Sequence, residues 1–207
     1  MDKILEKLGI YDLMVLLLTG MIILLITIKI FPIFNFHIKI DADDSLQFLI
    51  ISYFIGMVFQ ELGSKFSGRK LLKPVFKVSN DLHISLSQKE IDFITNTVCD
   101  KLDIVFTDDS VSEIYNYCKA CYIKSNKTTI EIDKQQSIGG MARSLSIYFV
   151  LIFLISVIKF LICINSTYFF MTIISCLMTY IFYNRYVRFF KMRYVLILRA
   201  FYYENNR

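Results

Sequence analysis

The stretch SLSIYFVLIFLISVIKFLICINSTYFFMTIISCLMTYIFYN, residues 144–184, holds a single charge, Lys159, among 41 residues. A helix that crosses a bilayer needs about 20 mostly apolar residues. The stretch is too long for one span and right for two. Its most turn-like part is Cys163-Ile164-Asn165-Ser166-Thr167, and the break is expected there. Lys159 then sits near a span end and can reach water along its methylene stem. The competing reading is a buried functional lysine.

Two further runs lie toward the N-terminus. Residues 45–60 are uncharged, with Gln47 and Gln60 near their ends, and give a short second span. Residues 12–31 give the first, with Lys29 at the interface. Pro32 is the expected stop, because proline cannot continue the helical hydrogen-bond ladder. Lys3 and Lys7 resemble the charged start of a signal peptide. The apolar run is long, however, and no small-x-small cleavage site follows it, so the span is expected to be retained. Composition agrees with a membrane protein. The 207 residues are 56% hydrophobic and 20% charged, with a mean hydropathy of +0.53. A soluble domain is typically about 45–50% apolar and about 25% charged. Disordered and collagen-like chains are excluded by the same numbers.

Orientation follows from lysine and arginine near the span ends. Lys65, Arg69, Lys70, Lys73 and Lys77 follow the second span, and Arg185, Arg188, Lys191, Arg193 and Arg199 follow the fourth. The connection between spans one and two sets Lys29 and Lys39 against Asp41, Asp43 and Asp44. Both termini and the middle segment, residues 62–143, are therefore expected in the cytoplasm of a multi-pass protein of the bacterial inner membrane.

The middle segment reads as a small helical insertion. Ser87-Gln88-Lys89-Glu90 fits a capping box, followed by Ile91, Ile94, Val98 and Leu102 at helical spacing. Ser110-Val111-Ser112-Glu113 repeats the pattern before Ile114, Tyr117, Cys118 and Cys121. Residues 82–86 alternate like a short strand. Residues 128–136 read as a helix leading to the third span, with Gly139-Gly140 as a hinge. Two helices bury little, so this segment is expected to need the spans or neighbouring subunits. The tail, 185–203, either extends the fourth span or lies in the interface as an amphipathic helix.

Motifs for catalysis are missing. No Gly-rich phosphate loop, HExxH or Ser/His/Asp order occurs. Cys118-Lys119-Ala120-Cys121 is a lone CxxC with no second ligand pair, so reduced thiols on a helix are expected rather than a metal site. No enzyme activity, cofactor or metal is expected. The basic residues Lys65, Arg69, Lys70, Lys73 and Lys77 read as a contact to anionic headgroups, worth about 1 kcal/mol each near the surface, or as a site for the phosphates of a nucleotide or oligonucleotide.

The spans carry the better signal. Ser52, Gly56 and Gln60 fall on one face of the second, ending at Glu61. Thr172, Ser175 and Thr179 share a face of the fourth. Small and polar residues on one face let helices approach closely; alternatively they line a wet path between subunits. Ser52, Gly56, Gln60 and Glu61 are accordingly the candidate pore or subunit-contact residues, with Glu61 at the inner mouth.

Tyr11-Asp12 opens the first span and Thr19-Gly20 lies inside it. Gln60-Glu61-Leu62-Gly63-Ser64 closes the second, and Gly140-Met141-Ala142-Arg143-Ser144 leads into the third. This arrangement resembles the small four-span membrane proteins of bacterial antiphage defence loci, such as those of the Hailong and Kiwa systems. The resemblance covers the span layout of nearly the whole chain through short motifs. In that pattern proline often precedes the glycine of the first span, where this chain has Thr19. The resemblance implies an oligomeric effector whose opening or assembly disturbs the membrane of the infected cell.

The sequence therefore predicts an all-α integral membrane protein of four transmembrane helices, with a small cytoplasmic helical insertion between spans two and three. The expected divisions are 1–61, 62–143, 144–184 and the basic tail 185–207. The expected function is a homo-oligomeric pore, a tetramer by expectation, acting in antiphage defence by abortive infection and gated by a nucleotide-type ligand. The alternative is a non-conducting membrane anchor or sensor that recruits a cytosolic defence partner.

Overall fold

A computed structural model describes residues 10–34, 45–65, 86–107, 110–124 and 130–206. All secondary structure among them is helical: α1 (Ile10–Ile30), a 3-10 turn (Phe31–Phe34), α2 (Ser45–Lys65), α3 (Gln88–Leu102), α4 (Val111–Lys124), α5 (Ile130–Cys163) and α6 (Ser166–Asn205). Four segments are long and apolar enough to cross a membrane: Leu13–Phe34, Ser45–Lys65, Lys134–Cys163 and Ser166–Asn205. The candidate strand at 82–86 lies outside the described residues except for Leu86, which is a core residue in no strand.

The break in the long apolar run falls where turn chemistry put it. α5 ends at Cys163, and Ile164 adopts a left-handed φ of 37°. Asn165 then caps α6: its Oδ1 accepts the backbone N–H of Thr167 at 3.0 Å. That bond satisfies one of the donors a helix start leaves over. At the first span, Pro32 ends the α-helix but the chain tightens into the 3-10 turn, which buries Phe34.

The chain divides into two compact units, one of Met1–Ser67 with Ser137–Tyr186, the other of Gly68–Gln136 with Val187–Arg207. The first contains most of the span-forming sequence. Its core is Ile23 of α1 with Leu145, Tyr148, Phe149 and Ile152 of α5, joined by Ile55 and Phe59 of α2 and by Met178 and Phe182 of α6. Phe149 and Phe182 stack at 5.6 Å, and the Tyr148 hydroxyl shares a 2.9 Å hydrogen bond with that of Thr27. At one end, Phe34 stacks on Tyr168, whose hydroxyl donates to the carbonyl of Ile33 at 3.2 Å.

The second unit departs from expectation. Its core joins Leu86, Ile91, Ile94 and Val98 of the α3 region to Val111, Ile114, Tyr115 and Cys118 of α4. Tyr194, Val195, Ile197, Leu198 and Phe201, all from the end of α6, complete it. The insertion packs on the chain's own tail. That tail continues the helix of the fourth span without a break to Asn205, the first of the two expected forms. A partly buried ion pair fastens it: Arg199 Nε lies 3.0 Å from Glu90 Oε1. The other carboxylate oxygen of Glu90 accepts the Ser87 backbone N–H at 2.7 Å, so the predicted capping box at Ser87 is present.

One local expectation is corrected. Ser110 does not form a second capping box with Glu113. Its hydroxyl turns back to Thr107, accepting that residue's N–H at 2.9 Å and donating to its carbonyl at 2.9 Å. Thr107 competes because its hydroxyl can in turn accept the Ser110 N–H, at 3.3 Å. α5 runs through Gly139-Gly140 as one helix, and Gly139 is buried.

Candidate functional site: the glycine crossing and the Arg143 seat

α1 and α2 meet backbone to backbone. A Cβ added at Gly20 would fall on the carbonyl oxygen of Ser52 and lie 2.5 Å from its carbon. One added at Gly56 would fall on the carbonyl oxygen of Leu16 and lie 2.9 Å from its carbon. Only hydrogen fits on either glycine. Thr19 adds no demand for a partner across the crossing, because its hydroxyl donates to the Val15 carbonyl one turn back, at 2.6 Å. Such small-residue contacts suit apolar surroundings, where close packing replaces the hydrophobic effect as the force between helices.

Of the stripe read from sequence, Ser52 and Gly56 are fully buried in this crossing, within one chain. The helix that packs on them is α1 of the same chain. The Ser52 hydroxyl is buried and has no hydrogen-bond partner. Gln60 is half-buried, and Glu61 is exposed. Lys65 is exposed at the end of α2, and no ion pair joins it to Glu61. Arg69, Lys70, Lys73 and Lys77 lie outside the described residues. On α6 the Thr172, Ser175 and Thr179 hydroxyls donate to the carbonyls of Tyr168, Met171 and Ser175 in their own helix, at 2.7 to 2.8 Å. This stripe needs neither water nor a neighbouring helix to satisfy it.

Sequence reasoning passed over the residue that gathers the other end of the helices. Arg143, the last charge before the apolar run of α5, lies across Gly63 of α2. A Cβ on Gly63 would come within 2.8 Å of its Nε and 3.3 Å of its Cδ. Its Nη2 donates to the Gln60 carbonyl at 3.3 Å, and its guanidinium carbon stands 6.0 Å from the centre of the Tyr186 ring on α6. The signal was available: Gln60, Arg143 and Tyr186 all stand where an uncharged run begins or ends. Gly63 serves as the floor that lets the arginine lie flat.

In the second unit, Cys118 is fully buried and Cys121 partly so, both reduced. Burial, reinforced by Cys121, pushes the Cys118 thiol up to about 12. A thiol held neutral is a poor nucleophile and a poor ligand. Among the described residues no group of three His, Cys, Asp or Glu side chains could hold a metal ion. Burial also raises the Tyr115 hydroxyl, opposed by the charge of Arg193. Comparison with protein-family models, curated proteins and solved structures finds no match to this chain.

Proposed function

We propose that the chain is a multi-pass inner-membrane effector of antiphage defence, and that its copies assemble into an ion-conducting pore. The filled interior of the first unit carries the reading. Ile23, Leu145, Tyr148, Phe149 and Ile152 close the space among the four helices, so a conduction path belongs between copies. Large apolar side chains on the outside supply the surface for lipid and for neighbouring copies, among them Phe54, Met57, Phe170, Ile173 and Leu177. Glu61 is the member of the α2 stripe left exposed, and it is the residue of that stripe suited to an inner mouth. A closed ring is the usual outcome for identical subunits, and a tetramer is the size we propose. Antiphage defence is supported by the resemblance in span layout and by the motif around Arg143. The basic residues beyond spans two and four support a cytosolic second unit and cytosolic termini. There the second unit would receive the gating signal, a nucleotide-type ligand or a defence partner.

Purified protein in planar bilayers tests the function. Step-like currents that fall when Glu61→Gln is introduced support the pore. Silent membranes from a well-folded oligomer favour the non-conducting anchor. Topology is read separately with a membrane-impermeant maleimide on cells. Native Cys163 is exposed at the α5–α6 turn and should label from outside. A cysteine placed at the exposed Val105, in a background lacking the other cysteines, should not. Labelling of the Val105→Cys variant in intact cells reverses the orientation.

A further inference from the structure

We infer that Arg143 and the floor beneath it form a binding site for an anionic phosphate group at the inner end of the first unit. Three helices build the seat: Gln60 and Gly63 from α2, Arg143 from α5 and Tyr186 from α6. A guanidinium carries five N–H donors in a planar fork that fits phosphate oxygens in pairs. Here the protein engages Nη2 through one long bond to a carbonyl. Nε is buried against Gly63 with no hydrogen-bond partner, a costly state for a charged group, and the outer edge of the fork is the part left to meet a ligand. No carboxylate pairs with Arg143 among the described residues. The nearest in sequence on α2, Glu61, is exposed. The Tyr186 ring shields one face of the guanidinium, which strengthens an electrostatic bond made at its edge.

The chemistry of the surroundings points to phosphate. The seat lies where the uncharged runs of three span-forming helices end, the depth of lipid headgroups once those helices are inserted. Basic pockets between spans on the cytosolic side are where anionic headgroups bind. Lys65 at the end of α2 and Arg185 beside Tyr186 on α6 are exposed and add positive charge. The inference rests on membrane insertion of the first unit and not on conduction. A phospholipid headgroup and a free phosphate present the same oxygens, and the experiment separates them.

Thermal unfolding is followed in nanodiscs of phosphatidylcholine alone, with added phosphatidylglycerol, and with added inorganic phosphate. Phospholipid that survives detergent washing is identified by mass spectrometry. Phosphatidylglycerol is expected to raise the wild-type midpoint and to co-purify. Both effects should vanish in Arg143→Ala and weaken in Arg143→Lys, which keeps the charge but loses the fork. Gly63→Ala keeps every charge and lifts the arginine from its floor, so it too should weaken both effects. It carries the test if Arg143→Ala fails to fold. A rise with inorganic phosphate in phosphatidylcholine discs, absent from the variants, supports the site with a free phosphate as its ligand. Equal rises in wild type and all three variants, or no rise in any, overturn the inference.

Discussion

Replacing Gly56 by alanine should destabilise the first unit although alanine is the better helix former. In a helix interior the exchange normally gains about 0.5–1 kcal/mol. Here the new methyl meets the Leu16 carbonyl, whose carbon stands 2.9 Å away, against 3.4 Å for ordinary contact. At Gly20 the corresponding carbon stands 2.5 Å away. The shortfalls are 0.5 Å and 0.9 Å at the carbon and larger at the oxygen. The obstacle is backbone of a helix, so α1 and α2 must separate as bodies. A gap of about 0.5–1 Å forfeits roughly a quarter to a half of each dispersion contact along the seam. Overpacking of this kind costs about 1–3 kcal/mol, and Gly20→Ala should lie at the upper end. The double variant should cost less than the sum, because the first methyl has already opened the seam. Ser52→Ala should be neutral or mildly stabilising, since it removes a buried hydroxyl with no partner. Unfolding in mixed dodecylmaltoside and SDS micelles, followed by circular dichroism, measures all four. The loss should not depend on protein concentration, because the crossing lies within one chain. A Gly56→Ala variant within about 0.5 kcal/mol of wild type would refute the reasoning. A loss that disappears at high protein concentration would move the crossing to a subunit contact.

Four other outcomes are expected. Truncation after Tyr186 removes Tyr194, Val195, Ile197, Leu198 and Phe201 from the core of the second unit; at about 1.5–3 kcal/mol each, the loss is on the order of 10 kcal/mol, and limited proteolysis should then cut α3 and α4 rapidly. Glu90→Gln and Arg199→Ala should each cost about 1.5–3 kcal/mol, with a double-mutant coupling of about 1–3 kcal/mol; additive losses in chemical denaturation would deny the pair. The Cys118 thiol is raised to about 12 in the folded state, so its stabilising effect is complete below the unfolded value of about 8.5 and drains away as pH climbs through that window. Wild type should therefore lose roughly 2–3 kcal/mol more than Cys118→Ala between pH 9 and 11, read as the difference in slope of stability against pH. Ile164 holds a left-handed φ while 81% exposed, so Ile164→Gly should gain about 1 kcal/mol, seen as a higher midpoint of thermal unfolding.

The membrane-span candidates were legible because hydropathy over about 20 residues needs no partner to be interpreted. The turn at Ile164-Asn165 and the start of α3 were legible because capping is local: Asn165 reaches Thr167, and Ser87 exchanges bonds with Glu90. Ser110 shows the limit of such reasoning, since the same motif lost its hydroxyl to Thr107, a competitor outside the motif. The Gly56 face was visible, whereas its partner was not. Gly20 is a lone glycine in an apolar run, and nothing in the spacing of α2 says which helix will cover it.

The tail was the harder case for a physical reason. Val195-Leu196-Ile197-Leu198 is apolar at every position, so it has no helical phase and looks like more span. The phase appears only when Tyr194 and Phe201 are included, which puts the buried residues at i, i+1, i+3, i+4 and i+7. Arg199 falls within that stripe, and a cation there reads as surface unless its carboxylate is known. That carboxylate is Glu90, already assigned by the sequence to a cap on α3. One side chain thus serves two structures. Its capping oxygen faces Ser87 and its other oxygen faces a helix more than a hundred residues away. The same division explains why the second unit cannot be delimited as one continuous segment. α3 and α4 present an apolar face that their own sequence leaves uncovered, and the residues that cover it come from the far part of α6. The core of the second unit can close only once Tyr194 to Phe201 have been made, so its folding waits on the far part of α6.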